Sequence, residues 1–259
     1  MDTRELQVVI KGDASDFKRA MGEVDQKTGG LKGAMESATT GSFALLAGLT
    51  ALGVGAVMFG KSAVDAFNDA QLAQAQLEHA VIGVTHATTE QLKQTEALAD
   101  ALEKKGVLDG DNIKVGLAQL STFGLSNKAV QNLGSSLADL AVNQFGVNAS
   151  GEQLTQSANM MAKALKGQFG VLEKSGIRFT DAQKAIIQYG TEEQKVIAIN
   201  EGFQQNLKLT NEVARQTAAG GIAHMQVQLG NVQEAIGGLI MNGIAPIVSA
   251  ISNWIDSMG

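Results

Sequence analysis

Three histidines are the residues best suited to proton or metal chemistry near neutral pH, and their spacing gives them no shared task. His79 and His86 lie seven positions apart, His224 is remote, and no third ligand type stands beside them at metal spacing. The HExxH arrangement that holds zinc is missing. The chain has no Cys, which excludes a zinc–thiolate site, a disulfide framework and a cysteine nucleophile. Asp109-Gly110-Asp111-Asn112 offers carboxylate and amide oxygens in the manner of a calcium loop. The distal bidentate Glu that would complete such a loop is not supplied, so Asp-Gly reads as turn chemistry. Gly53-Val54-Gly55 has half the spacing of a glycine-rich dinucleotide loop, but it sits inside an uncharged run with no strand before it.

Gly116-Leu117-Ala118-Gln119 is similar to a fragment of a lytic-transglycosylase motif. The catalytic Glu-Ser pair expected upstream is absent, since the chain's one Glu-Ser is Glu36-Ser37 at the edge of a hydrophobic run. Without a positioned acid there is no glycosidase argument. The reading is therefore of a protein that is not an enzyme, with no catalytic residue, cofactor or metal site.

What remains is architecture. With 259 residues, 44% hydrophobic but only 4% aromatic, the chain can build one large domain or two small ones with few bulky rings in the core. Thirty Gly against a single Pro, with abundant Ala, favours helices that are only moderately stable. A net charge of −6 argues against a general nucleic-acid binder, which needs clustered Lys and Arg. Met1 to Lys11 carries mixed charge and too short an apolar run for a secretory signal.

The order of elements follows from patterning. Leu6, Val8 and Ile10 alternate as one face of a short strand, and Asp13 can cap a helix entering at Asp16 and Phe17. A lone strand needs an edge partner, from another chain or another part of the protein. Ser37 to Gly60 is a run of 24 residues without charge, with Ala47, Ala51 and Gly55 spaced every four. It is long enough to cross a hydrocarbon layer of ~30 Å as a helix, and its small-residue stripe would let helices approach closely. Sparse flanking charge of both signs, no aromatic belt and five Gly favour packing inside an assembly over permanent membrane residence. A second uncharged run, Ala235 to Ile255, contains Gly237, Gly238, Gly243 and Pro246.

Between the runs the chain is punctuated by helix signals. Thr88 to Gln91, Ser150 to Gln153, Thr180 to Gln183 and Thr191 to Gln194 each fit the capping box. Gly106, Gly124, Gly146, Gly176 and Gly190 supply stops. Val64, Phe67, Ala70, Ala73, Leu77 and Val81 advance by three or four, as do Leu133, Leu137, Leu140 and Gln144. From Thr210 to Gly259 only Glu212, Arg215, Glu234 and Asp256 are charged. There Met225, Leu229, Val232, Ile236 and Leu239 step 4, 3, 4, 3 as a coiled-coil seam. The expected fold is all-α, a helix array or bundle with one short N-terminal strand and two long uncharged hydrophobic helices. It divides into 1–34 (strand and helix), 35–61 (hydrophobic helix), 62–209 (helical core) and 210–259 (a low-charge long helix expected to continue in the natural chain). The residues expected to pack against partners or enter a membrane are Phe43, Leu45, Leu46, Leu49, Leu52, Val54, Val57, Ile236, Leu239, Ile240, Ile247 and Ile251.

The stretch MMAKALKGQFGVLEKSGIRFTDAQ, Met160 to Gln183, resembles the core of phage tail tape-measure proteins. The pattern is a helix ending at Gly167-Gln168, an apolar turn through Phe169, Val171 and Leu172, then Ser175-Gly176-Ile177 before a capped helix at Thr180. The opening is similar too: a strand, Asp13-Ala14-Ser15-Asp16-Phe17, a Gly-rich linker and a hydrophobic helix. The resemblance implies a virion structural protein lying in the tail lumen, made in the host cytoplasm, that sets tail length and assists genome delivery. Its implied partners are tail-tube and tail-tip proteins, assembly chaperones, other copies of itself and the host membrane during infection, with no sequence-specific nucleic acid. Typical members are longer, which would make this an N-terminal portion. A reading of a different class is a helical membrane-inserting, pore-forming protein unrelated to tails, with Ser37 to Gly60 as its inserting arm.

Overall fold

A computed structural model describes residues 55–207 and 210–256, with side chains described for 62–207, 210–238 and 241–242. The N-terminal strand expected at Leu6 to Ile10 and most of the run from Ser37 to Gly60 lie outside the described residues. Every element among the described residues is helical. They are α1 (Gly55–Glu78), a π-helical stretch (His79–Val84), α2 (Thr89–Lys105), α3 (Gly110–Ser121), α4 (Asn127–Phe145) and α5 (Gly151–Leu165). There follow α6 (Gly170–Lys174), α7 (Asp181–Tyr189), α8 (Glu192–Leu207), α9 (Thr210–Ala214) and α10 (Ala218–Asp256). Among the described residues no helix is long and apolar enough to cross a membrane.

The helix starts are chemical. At Thr88, Ser150, Thr180 and Thr191 the cap side chain accepts the backbone N–H three residues on, at 3.2–3.4 Å. The Gln at that third position accepts the cap residue's own N–H at 2.9 Å in all four. Two orphan donors are satisfied at each start. Asp109 behaves differently from the turn expected of it: its carboxylate accepts the N–H groups of Asp111 and Asn112 and caps α3. An Asp before Gly serves a turn or a cap equally well, and the helical run that follows decides in favour of the cap.

The segment Met160 to Gln183 is built on two consecutive stops of one kind. Gly167 (φ 80°) and Gly176 (φ 83°) take the left-handed conformation. Beside them Gln168 N–H donates to Lys163 O and Ile177 N–H to Leu172 O, both at 2.9 Å. Each is the Schellman closure of a helix, which requires a residue tolerant of positive φ at the position after the cap. In the second, Leu172 and Ile177, both fully buried, form the apolar contact that accompanies this motif. Phe169, Phe179 and Phe203 then stack in sequence, with centroid separations of 5.5 and 6.4 Å.

One hydrophobic core runs through α1 to α8. Ala70, Ala73, Leu77 and Val81 carry the buried face of α1 into the π-helical stretch, and Leu133, Leu137 and Leu140 form that of α4. Gly116 lets α3 lie against α5, because a Cβ there would stand 3.0 Å from both Leu137 and Leu154. Gly116-Leu117-Ala118 is thus a core-packing sequence.

Candidate functional site

The described residues bring polar chemistry together where the root of α10 meets the bundle. Two of the elements there are joined by a buried clasp. The side chain of Asn211, on α9, accepts Val107 N–H at 3.1 Å, while its own backbone N–H donates to Asp139 Oδ1 on α4 at 2.8 Å. Asn211 is 2% exposed and Asp139 7%. A Cβ on Gly106 would fall 2.1 Å from the Asn211 amide nitrogen, so only glycine fits beneath the clasp. Arg215, just after α9, donates to Lys104 O and closes the same corner.

Burial pushes the Asp139 carboxyl up to about 6, with Glu212 adding to the rise and the Asn211 N–H opposing it. His224, nearly two turns into α10, is held below its ordinary value by burial and then by the Arg215 charge. Its Nδ1 is buried without a hydrogen-bond partner.

A second polar group lies further along α10. Asp100 and Glu103 on α2, Asp111 and Lys114 on α3, and Asn231 and Glu234 on α10 line a cleft of about 290 Å³. Glu103 is the anchor: it accepts Asn231 Nδ2 at 2.7 Å and Gly110 N–H at 2.8 Å. Burial pushes Glu103 and Glu234 above the usual carboxylate range, and does the same to Asp109 beside the cleft. Burial alone would lower Lys114. Its 2.9 Å bond to Asp111 and the charges of Asp111, Asp100 and Glu234 override that and raise it. No group of His, Cys, Asp and Glu able to hold a metal is present among the described residues. The cleft's chemistry is that of a seat for α10, with the ammonium groups of Lys104 and Lys114 among four carboxylates and an amide crossing from the helix.

The packing of α10 has a defined inner face. Ala223 is 1% exposed, Asn231 and Glu234 enter the cleft, and Gly238 packs on Phe67 of α1. Gly237 comes so close to α1 that a Cβ would stand 1.9 Å from the Ala63 carbonyl oxygen. Gly237, Gly238, Gly243 and Pro246, expected to interrupt the second uncharged run, all lie within one continuous helix.

Of the residues expected to pack against partners or a membrane, Phe43, Leu45, Leu46, Leu49, Leu52 and Val54 lie outside the described residues. Val57 is in α1, and Ile236, Leu239, Ile240, Ile247 and Ile251 are in α10; Ile236 is half-buried. Asn211, Asp139 and Glu103 were not singled out by the sequence reading. Asn211 is 104 positions from Val107 and 72 from Asp139, and no local spacing signals such a contact. Compared with known protein families, curated proteins and solved structures, the chain matches none.

Proposed function

We propose that the chain is a phage tail tape-measure protein, or a region of one, that sets tail length during assembly and assists genome delivery on infection. The observation that carries the reading is the family-like segment Met160 to Gln183. Its glycines fall at two successive Schellman closures, and its Thr180 and Gln183 form a capping box. That pattern of residues therefore has a physical reason to recur. On this reading 1–34 supply a strand and helix, Ser37 to Gly60 forms a hydrophobic helix, and Ala235 to Ile255 packs against partners in the tube. Tube and tip proteins, assembly chaperones and other copies of the chain are the partners, and the tail lumen is the destination. The membrane-inserting alternative rests on Ser37 to Gly60, and no specific observation favours it.

A ruler must be extended, and 259 residues in one helix reach at most ~390 Å at ~1.5 Å per residue. The described residues instead fold back into a bundle, so a measuring role requires the bundle to open inside the tail. Tail length measured by electron microscopy in phage carrying an in-frame deletion of Asp111 to Gln144 tests this. Removal of those 34 residues should shorten tails by ~50 Å if the block is extended. Leu137→Asp, which breaks the same core without changing the residue count, should leave tail length unaltered. Normal length and normal infectivity in the deletion phage would sink the proposal.

A further inference from the structure

A pocket of about 210 Å³ opens between the end of α5, the connection from α3 to α4 and the first turn of α8. Phe123, Leu125, Ala162 and Leu165 give it an apolar floor, and its charged groups are Lys166, Lys195 and Glu192. The carboxylate is already committed, because Glu192 accepts the hydroxyl of Ser126 and, at 3.2 Å, the N–H of the same residue. The ammonium groups are not: among the described residues neither Lys166 nor Lys195 forms an ion pair. Lys166 Nζ instead stands 5.6 Å from the centre of the Phe123 ring, on an exposed side chain. In a chain of net charge −6, this pocket offers cations and no free anion, the reverse of the carboxylate-rich cleft under α10.

We infer that the pocket is a binding site for the C-terminal residue of a polypeptide that ends in an apolar side chain. Charge, lining and size together select that occupant. Unpaired ammonium groups call for an anion, and a carboxylate accepting from them makes charge-assisted hydrogen bonds. The apolar floor calls for a hydrocarbon group within one residue's reach of that charge. The volume falls below the ~300–1,000 Å³ in which free small ligands are enclosed, so the pocket takes the end of a larger molecule and not the whole of a small one. In a polypeptide, only the last residue can carry a carboxylate and an apolar side chain on the same Cα. In an internal segment the acidic and apolar groups belong to different residues, and an extended chain turns adjacent side chains to opposite sides. The inference does not depend on the tail reading, since it uses only this pocket.

Fluorescence polarisation with the full-length chain tests this. The probe is a fluorescein-labelled pentapeptide of glycine and serine ending in leucine with a free carboxylate. One comparator carries a C-terminal amide, and another ends in serine. The free-acid leucine peptide should bind saturably, and each comparator should bind at least about tenfold more weakly. Lys166→Met and Lys195→Met, which keep most of the hydrocarbon stem, should each weaken the probe by a similar factor while the melting temperature stays at the wild-type value. Lys93→Met, at an exposed lysine of α2 outside the pocket, should leave binding unchanged. Equal binding of acid and amide by the wild-type chain, a comparison that needs no variant, would overturn the inference. So would an equal loss in the Lys93 variant, or no saturable binding up to about 1 mM peptide. An amidated peptide with an internal glutamate beside its leucine that binds as tightly as the probe would assign the pocket to an acidic segment, and would overturn it equally.

Discussion

At Gly202 a hydrogen stands where any other residue would place a carbon into the edge of the Phe179 ring, 2.3 Å from Cε1. The ring cannot swing away freely, because Phe169 and Phe203 hold it from two sides. Helix propensity favours Ala over Gly by about 1 kcal/mol, whereas overpacking a filled core costs about 1–3 kcal/mol. Crowding should win: Gly202→Ala should lower the melting temperature. Gly221, exposed on α10 with nothing within 4 Å of its would-be Cβ, provides the contrast, and Gly221→Ala should leave stability unchanged or raise it. Equal shifts in thermal melts of the two variants would show that the aromatic row is looser than its geometry says.

Among the elements, α9 depends most on a single side chain. Asn211→Ala leaves Val107 N–H, in a residue 1% exposed, without its acceptor, at a cost of about 1–3 kcal/mol. Hydrogen exchange should accelerate at Val107 and through the start of α10, while amides of α5 keep their protection. Uniform acceleration across the bundle would mean that α9 is not a separable fastening. This division also marks what could be read without coordinates. The capping boxes and the glycine stops were legible because each is closed by groups three to five residues apart. The heptad seam was legible as a pattern, but not the side on which it lies, because facing is set by what Gly237 and Ala223 pack against. The π-helical stretch His79–Val84 had no signal in the spacing. The clasp joins residues dozens of positions apart, and polar residues such as Asn211 and Asp139 carry no mark of burial in their neighbours.

For the molecule as a whole, protons are a ligand of the folded form. Glu103, Asp109, Asp139 and Glu234 all have carboxyls raised by folding, with burial the largest cause in each. For a raised group the stabilising contribution is full below the unfolded value and is lost as pH climbs through the folded one. For Asp139 that window runs from its ordinary 3.8 to about 6. Lys114, raised from 10.5, adds no slope there, and His224, lowered from 6.5, acts the other way as one group against four. The urea midpoint should therefore be higher at pH 5 than at pH 8. Asp139→Asn should flatten part of that slope, by about 1–3 kcal/mol between the two ends. A midpoint that rises with pH would contradict the burial of these groups. The fastenings of α10 also differ in how they meet a load. Ala223, the Asn231–Glu103 bond and the Gly237–Ala63 approach are strung along the helix in series. Force applied across the axis at the far end peels them one at a time, each alone against the pull. Force along the axis shears them together. The same seat is thus weak in one direction and strong in the other, and direction of pull, more than its size, decides whether the long helix comes away.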